Sequence, residues 1–431
     1  MAPKNLAWKP APVSAITPAV NGPVLITRVV LKNYKSIASC SVELRSLIFL
    51  VGPNGSGKSN FLDALRLVSE SLNSSLDHGL RERGGINEVR RRSSGHPTHF
   101  GIRLEFALPD ATFGHYAFRV GAKPKGGFEV QREECHVFAQ GALQQDKFYV
   151  VNSGRLDDSN PKPLPPAADD RLFLVAASSL PEFRPLFESL TRMGFYNLNP
   201  DAIRDLQPPD TGEVLLRDGS NLASVLNLIS VESPPAKARL VELLSRVVPG
   251  VVDVSAKHIG KKETLEFRQK VGEGEAPWRF LAENMSDGTL RALGVLTALL
   301  QSSNSGTRKK VPLVGIEEPE LALHPGAAGV LRDGLATAAR NTQVVVTSHS
   351  PDLLDDKSIS DENILAVSNR NGETLIGRAD AAGRSAIRDN LFTAGELLRL
   401  SQLTPDLDEA RKIPEDQLEL FRKANGADRT R

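Results

Sequence analysis

The chain has few cysteines, few aromatic side chains and no long hydrophobic segment. Its 431 residues include two cysteines and two tryptophans, and aromatic residues make up 5% of the total. Two cysteines are too few for a disulfide framework or a cysteine-rich zinc site, which favours a reducing, cytoplasmic setting. No apolar run approaches the ~18 residues that a membrane-spanning helix needs, so we expect no membrane partner.

The chain also lacks an excess of charge of either sign. Lysine and arginine total 53 and aspartate and glutamate total 52, which leaves a net charge of +1. This balance provides no overall attraction to nucleic acid, so any DNA contact must come from a local patch. Sustained heptads are missing between Ser59 and Val311, which argues against a long coiled-coil arm.

Local patterns divide the chain into segments. Residues 1–23 are rich in alanine and proline and are predicted to be a disordered tail. Short antiparallel strands are predicted within 100–151, and a proline-rich loop or linker over 157–166. Apolar residues recur at helical spacing over 171–248. Predicted strands and helices then alternate up to about residue 403, as in a parallel α/β core.

The most informative stretch is the segment 52–59, Gly-Pro-Asn-Gly-Ser-Gly-Lys-Ser, which follows the apolar run 47–51. It fills the pattern G-x-x-x-x-G-K-[ST] between a buried strand and a helix. Such a turn presents backbone N–H groups to phosphate oxygens, while its lysine reaches the β- and γ-phosphates and its final hydroxyl ligates Mg²⁺. The predicted nucleotide ligands here are Asn54, Gly55, Ser56, Gly57, Lys58 and Ser59.

Two further strand ends carry polar side chains that suit the same chemistry. The apolar segment 311–316 ends in Glu317 and Glu318, which we assign to Mg²⁺ and to the general base. An exposed acidic turn is the alternative interpretation. The strand at 343–348 ends in His349, which is placed to sense the γ-phosphate by hydrogen bonding. The predicted catalytic set is therefore Lys58, Glu318 and His349.

Another anion site is predicted where a helix begins near Ser286. The segment 283–291, Glu-Asn-Met-Ser-Asp-Gly-Thr-Leu-Arg, opens an apolar helix, and Ser286 and Gly288 would lie at its amino end. Taken alone, the segment is equally typical of an ordinary helix cap.

With these elements in this order, the chain resembles ABC-type ATPases of the RecF/SMC/Rad50/OLD lineage, and more closely the stand-alone AAA_21 predicted ATPases. The resemblance implies an α/β P-loop NTPase fold with a mixed sheet core, an antiparallel β subdomain and an inserted helical region. The segments that carry it are Leu31–Ser36, Gly52–Ser59, Met285–Thr289, Ile316–Pro325, Thr347–Pro351 and Thr393–Leu397.

The resemblance also implies an organisation and a mode of action. Residues 24–98 and 261–405 would form a split ATPase core, 99–260 an inserted β and helical region, and 406–431 a C-terminal helix and tail. Two copies would dimerise around two ATP molecules with Mg²⁺, each phosphate loop facing Ser286 and Gly288 of the other copy. Slow hydrolysis would gate a separately encoded effector, commonly a nuclease, in DNA maintenance or phage defence.

Rival functions stay open at this point. Arginines cluster after the first helix and suit a solvated basic face, a DNA contact or a partner contact: Arg81, Arg83, Arg90, Arg91 and Arg92. A DNA-binding repair ATPase without an effector and a nucleotide-sensing scaffold with little turnover are the alternatives. A single-site P-loop kinase or GTPase is disfavoured, because the segment around Ser286 would then have no role.

Overall fold

The computed structural model describes most of the chain. The described residues are 23–93, 95, 97–109, 111–139, 146–162, 164–272, 276–301, 310–411 and 415–421. All of the tail predicted over 1–23, except Pro23, lies outside them, as does the end of the C-terminal tail from residue 422.

The strands of the described chain belong to three sheets. In chain order they are β1 (Ile26–Tyr34), β2 (Ile37–Glu43), β3 (Leu47–Val51), β4 (His99–Ala107), β5 (Thr112–Ala122), β6 (Phe128–Ala139), β7 (Lys147–Asn152), β8 (Arg155–Asn160), β9 (Gly194–Tyr196), β10 (Val251–Ile259), β11 (Lys262–Gln269), β12 (Trp278–Leu281), β13 (Leu313–Glu317), β14 (Gln343–Ser348), β15 (Ile364–Arg370) and β16 (Glu373–Arg378).

The helices alternate with these strands. They are α1 (Lys58–Asn73), α2 (Leu76–Arg81), α3 (Ile86–Val89), α4 (Leu174–Ala177), α5 (Arg184–Thr191), α6 (Pro200–Arg204), α7 (Leu222–Glu232), α8 (Pro234–Val247), α9 (Asp287–Leu300), α10 (Ala328–Ala338), α11 (Pro351–Leu354), α12 (Ala381–Arg388), α13 (Ala394–Arg399) and α14 (Leu407–Arg411). None of the described helices is long and apolar enough to cross a bilayer.

A six-stranded mixed sheet forms the centre of the fold. Its order is β16-β15-β3-β14-β13-β9, and all pairs are parallel except β15 with β16. Every residue of β3 and β14 is buried, as expected for parallel strands covered on both faces. The carboxyl ends of β3, β14 and β13 therefore meet at one edge of the sheet.

The antiparallel part is a seven-stranded sheet in the order β2-β1-β4-β5-β6-β7-β8. The predicted linker over 157–166 is wrong at its start, because Arg155–Asn160 forms β8 and pairs with β7. β1 precedes the phosphate loop in sequence and pairs directly with β4. The domain boundary at residue 98 stays a prediction. The seven-stranded sheet contains strands from both sides of that position.

Helix α1 packs between the two large sheets. Its apolar residues recur at helical spacing, and Phe61, Leu65 and Val68 are fully buried. They share one cluster with Leu50 of β3 and Ile102 of β4. The opposite face of the six-stranded sheet is covered by α7 to α10 in a second cluster. The helix after the phosphate loop thus contacts both the core sheet and the antiparallel sheet.

A single buried amide also joins the two sheets. Gln343, at the start of β14, accepts hydrogen bonds from the backbone N–H groups of Leu25 (3.1 Å) and Ile26 (2.9 Å). Its side-chain nitrogen donates to the carbonyls of Ile26 (2.8 Å) and Arg45 (3.1 Å). Because the side chain is fully buried, these bonds satisfy an amide that would otherwise be costly to desolvate.

An ionic cluster fixes α1 against the end of β1. Asp63 of α1 accepts hydrogen bonds from Tyr34 (2.8 Å) and Arg83 (3.0 Å) and forms an ion pair with Lys35 (2.5 Å). Burial alone would raise the pKa of Asp63, but the cations of Arg83 and Lys35 hold it well below its usual range. Ionised Asp63 therefore stabilises the folded state above the ordinary carboxyl pKa, and this contribution disappears as the pH falls through the folded value.

Asp63→Asn is expected to lower the free energy of unfolding at pH 7 by about 3–5 kcal/mol, because it removes the buried carboxylate that pairs with both Arg83 and Lys35. Urea unfolding measures this value. The exposed pair of Asp77 with Arg81 provides the matched control, and Asp77→Asn should change the free energy by less than about 1 kcal/mol. The Asp63 effect should shrink below about pH 4, where the unfolded carboxyl becomes protonated. Equal effects of the two substitutions would contradict this role of Asp63.

Candidate functional site

The phosphate loop has the backbone conformation that its glycines permit. Gly55 and Gly57 have φ angles of 74° and 103°, in the left-handed region. A Cβ added to Gly57 would lie 2.0 Å from Oγ1 of Thr374, so the close approach of β16 also requires glycine here. Lys58 begins α1 directly after this turn. The loop therefore runs from a buried strand into a helix amino end, which is the geometry of an anion site.

Lys58 is buried at the base of this loop. Its ammonium donates hydrogen bonds to the carbonyls of Gly52 (2.8 Å) and Pro53 (3.0 Å). Burial lowers the pKa of Lys58, and the negative charges of Glu318 and Glu320 oppose that shift. The two acids therefore act on the loop lysine through space, although they lie some 260 residues away in the sequence.

Strand register brings the predicted acids and the predicted histidine to this edge. Thr347 of β14 pairs with Leu50 of β3 on one side and with Glu317 of β13 on the other. The residue after each strand end then projects from the same edge. Glu318 and His349 meet there, with Oε1 of Glu318 3.2 Å from Nδ1 of His349. Their side chains are 30% and 35% exposed, so water has access to both.

The backbone of Glu318 is held in an uncommon conformation. Its φ angle is 45°, in the left-handed region, which costs a non-glycine residue roughly 1–2 kcal/mol. The N–H of Glu318 donates to the backbone oxygen (3.0 Å) and to Oγ1 (3.2 Å) of Thr347. These bonds hold the backbone at the residue whose carboxylate contacts His349.

The residues assigned to Mg²⁺ offer oxygen donors. Ser59 is exposed in the first turn of α1, and Glu317 ends β13 with Oε1 3.0 Å from a guanidinium nitrogen of Arg217. Nearby, Glu320 accepts a hydrogen bond from the Ser348 hydroxyl (2.6 Å) through one oxygen, while its other oxygen is buried and has no hydrogen-bond partner among the described residues. Carboxylate and hydroxyl oxygens suit a hard cation, so the donor set fits Mg²⁺.

Sequence reasoning missed the role of Arg291 in shaping this edge. Arg291 lies one turn into α9, is 6% exposed and donates to the backbone carbonyl of Leu198 (2.8 Å). It also donates to the carbonyls of Glu317 (3.4 Å) and Glu318 (3.3 Å). The guanidinium therefore holds the backbone of the acidic turn through its hydrogen bonds to these two carbonyls. The sequence signal for this role is the arginine itself, which lies within a mostly apolar helix.

Ser286 and Gly288 lie at the amino end of α9, as predicted. The Ser286 hydroxyl accepts a hydrogen bond from the Thr289 N–H (3.2 Å), so it caps the helix, and its side chain is exposed. A Cβ on Gly288 would lie 2.5 Å from the carbonyl oxygen of Ala322, four residues after Glu318. Among the described residues, no hydrogen bond joins residues 286–288 to residues 52–59 of the same chain.

Hydrogen bonds made by side chains from distant parts of the chain hold the phosphate loop in place. No local sequence pattern predicts this network. The Thr374 hydroxyl donates to the carbonyl of Ser56 (2.8 Å) and lies 2.7 Å from the Ser36 hydroxyl oxygen. Asn60 donates to the same Ser36 oxygen (2.7 Å). The network joins β16, the turn after β1 and helix α1. Because Thr374 and Ser56 are 318 residues apart in the sequence, no motif within a short segment could have indicated this contact.

The arginine cluster is not a uniform basic face. The side chain of Arg83 is 2% exposed and pairs with Asp63 (2.9 Å) and Glu70 (2.6 Å), so it supports the fold. Arg81 and Arg92 are 77% and 68% exposed. Of the five arginines, these two extend furthest into solvent, and each pairs with an acidic residue four positions earlier in the sequence. DNA contact through this cluster stays a prediction.

The phosphate loop, the acidic strand end and helix α9 define a P-loop protein with the ABC-type ATPase fold. The family comparisons agree with this class. Residues 25–146 match the model described as "AAA ATPase domain", and residues 150–355 match the model described as "AAA domain, putative AbiEii toxin, Type IV TA system". The first match contains the phosphate loop, and the second contains Ser286, Glu318 and His349.

Individual proteins show the same likeness. The Old nuclease of Escherichia phage P2 is 24% identical over 363 residues, which are 78% of this chain; the chain spans 58% of that protein's length. The Smc head bound to the C-winged helix domain of ScpA matches with a TM-score of 0.51 and 14% identity, covering 82% of this chain and 97% of that one. A Pyrococcus furiosus Smc head, bound to the C-terminal domain of ScpA, has a TM-score of 0.50 and 12% identity and covers 85% and 99%.

These matches confirm the fold class and the resemblance. The chain has the ABC-type ATPase fold, and it resembles proteins of the SMC and OLD kind. Its mixed core sheet and antiparallel β sheet are those that the resemblance implied.

Thr374→Val is expected to weaken binding of Mg-ATP by roughly fivefold, because it removes the hydrogen bond that holds the Ser56 carbonyl while keeping the shape of the side chain. Titration with a fluorescent ATP analogue measures the dissociation constant. Thr337→Val is the matched control, since that hydroxyl only returns to the Asp333 carbonyl within α10 (2.7 Å). An unchanged nucleotide affinity in the Thr374 variant would show that the loop holds its shape without the clamp.

Proposed function

We propose that the chain hydrolyses ATP at two sites formed between two copies of itself and that the closed and open dimers gate a partner protein. The contact of Glu318 with His349, at the edge that also carries Lys58, is the observation that supports hydrolysis best. A nucleotide-sensing scaffold would need the loop and its lysine but not a paired carboxylate and imidazole open to water.

The residues have distinct roles in this proposal. The N–H groups of the loop from Asn54 to Ser59 and the ammonium of Lys58 bind the phosphates. Glu318 takes a proton from the attacking water, and His349 orients Glu318 and hydrogen-bonds to the γ-phosphate. Ser59 and Glu317 would hold Mg²⁺, which supplies positive charge to the phosphate oxygens when bound. For that, Glu317 must exchange its contact with Arg217 for the cation.

The placement of Ser286 and Gly288 supports a dimer. The capped amino end of α9 is exposed, and it is joined by hydrogen bonds to its own helix but not to the phosphate loop of its own chain, as far as the described residues extend. An exposed helix amino end with a serine hydroxyl and a close-packed glycine suits the γ-phosphate of a nucleotide held by another copy.

The region 99–260 is the proposed output surface. Its first strand, β4, pairs with β1, and the Tyr34 hydroxyl at the end of β1 donates to Asp63 on the helix after the phosphate loop (2.8 Å). The seven-stranded sheet is therefore joined at β1 to the helix after the phosphate loop, and it extends from there to β8. The likeness to the phage protein Old nuclease supports a setting in phage defence or DNA maintenance in the cytoplasm, with a separately encoded effector.

Glu318→Gln is expected to lower ATP turnover by about a hundredfold or more, because it removes the general base. The variant should accumulate as a dimer in Mg-ATP, and light scattering with and without nucleotide measures its mass. Glu82→Gln, an exposed position after α2, should behave as the wild type. A mass that never changes with ATP would refute ATP-driven dimerisation. A constant dimer would favour a preassembled scaffold, and a constant monomer a single-site enzyme.

Mixing two inactive variants tests whether the sites are shared. Ser286→Asp keeps a good helix cap but places a carboxylate where the γ-phosphate is expected, so we expect it to abolish turnover. Lys58→Ala should also be inactive. Each mixed dimer would contain one intact site, so turnover should reappear on mixing. Ser286→Asn, which caps equally well without charge, should retain most activity. Mixtures as inactive as the single variants would contradict a shared site.

A further inference from the structure

A group of buried metal-ligating side chains lies on the outer face of the seven-stranded sheet. His115 of β5 pairs across the strands with His136 of β6, and Glu134 lies two residues before His136 on the same face. The opposite face of these strands carries Tyr116 and Cys135, which pack in the core with α1. The group is therefore on the side of the sheet away from the nucleotide edge.

The geometry of the group brings its donor atoms together. One nitrogen of each imidazole and one oxygen of Glu134 all lie within 4.8 Å of one another. Nε2 of His115 is 3.0 Å from Oε1 of Glu134, and the two imidazole rings stack with centroids 4.7 Å apart. His115 and His136 are each 4% exposed, and Glu134 is fully buried. A separation of 3.0 Å suits a proton shared between the two atoms, and it suits equally two ligands on one ion.

Two charged neighbours contact the side chains of Glu134 and His136. Arg132 binds the other oxygen of Glu134, with Nη2 2.9 Å from Oε2. Asp146 lies 3.3 Å from Nδ1 of His136, so it favours the tautomer that leaves Nε2 without a proton. A carboxylate on the far nitrogen is the usual companion of a metal-binding histidine. The Asp146 side chain is 29% exposed, so solvent reaches this neighbour of the group.

We propose that His115, Glu134 and His136 bind one divalent ion of the zinc class and that this ion links β5 to β6. Two imidazoles and one carboxylate form a donor set that suits Zn²⁺, whereas Mg²⁺ and Ca²⁺ prefer oxygen ligands alone. The negative charges of Glu134 and Asp146 favour a cation here, although Arg132 neutralises part of the charge of Glu134. The site does not depend on ATP hydrolysis or on dimerisation.

The test uses the full chain, freed of metal by a chelator and titrated with Zn²⁺ against a chromophoric chelator without nucleotide. We expect one tightly bound Zn²⁺ per chain, unaffected by excess Mg²⁺. His115→Gln and His136→Gln should each weaken binding at least tenfold, and Asp146→Asn should weaken it by roughly tenfold. His99→Gln on neighbouring β4 and His258→Gln at an exposed position of β10 are matched controls and should bind as the wild type does.

A second measurement needs no variant. Cobalt(II) added to the metal-free wild-type chain should give the intense visible bands of a four-coordinate site, and one equivalent of Zn²⁺ should remove them. A weak six-coordinate spectrum, or no stoichiometric binding of either ion, would overturn the proposal. So would binding that survives in both His115→Gln and His136→Gln but is lost in His349→Gln, because the ion would then lie at the nucleotide edge. If the His115 and His136 variants fail to fold, the cobalt spectrum decides.

Discussion

The register of β14 between β3 and β13 is the constraint on which the candidate site depends. Thr347 lies opposite Leu50 and Glu317, so the phosphate loop, the acidic turn and His349 all leave the sheet at one edge. A slip of one residue would turn each side chain to the other face of the sheet. Gln343 fixes the start of β14 through four hydrogen bonds to the backbone of Leu25, Ile26 and Arg45. Contacts of this buried amide with the chain around β1 and β2 thus help to set the position of the predicted catalytic residues.

The sequence predicted the parts of the site that are local. Gly52–Ser59, the Glu317–Glu318 pair and the strand before His349 each have a pattern within about ten residues, and the structure brings them to one edge. It did not predict Thr374, Arg291, Glu320 or Arg217, because their roles arise from contacts across long stretches of chain. Thr374 holds a carbonyl 318 residues away, and no periodicity or composition carries such information.

The antiparallel region shows a similar limit. Alternating apolar and polar residues predict β4 to β7, but Arg155–Asn160 ends in four polar residues in a row, which the sequence places in the predicted loop over 157–166. It forms β8 because β7 offers an edge to pair with. The cluster of His115, Glu134 and His136 was equally hidden, since the cross-strand pair that joins the histidines exists only once the register of β5 and β6 is known.

The two cysteines have a practical consequence for anyone who studies motion in this protein. Cys40 lies in β2 and Cys135 in β6, and both thiols are buried within the seven-stranded sheet. Burial raises the pKa of Cys40 to about 12 and that of Cys135 well above its usual value, so neither forms the reactive thiolate while the sheet is intact. A single thiol engineered on the surface could therefore carry a fluorophore or a spin label without removal of the native pair. Reaction of the native thiols would itself report that the sheet has opened.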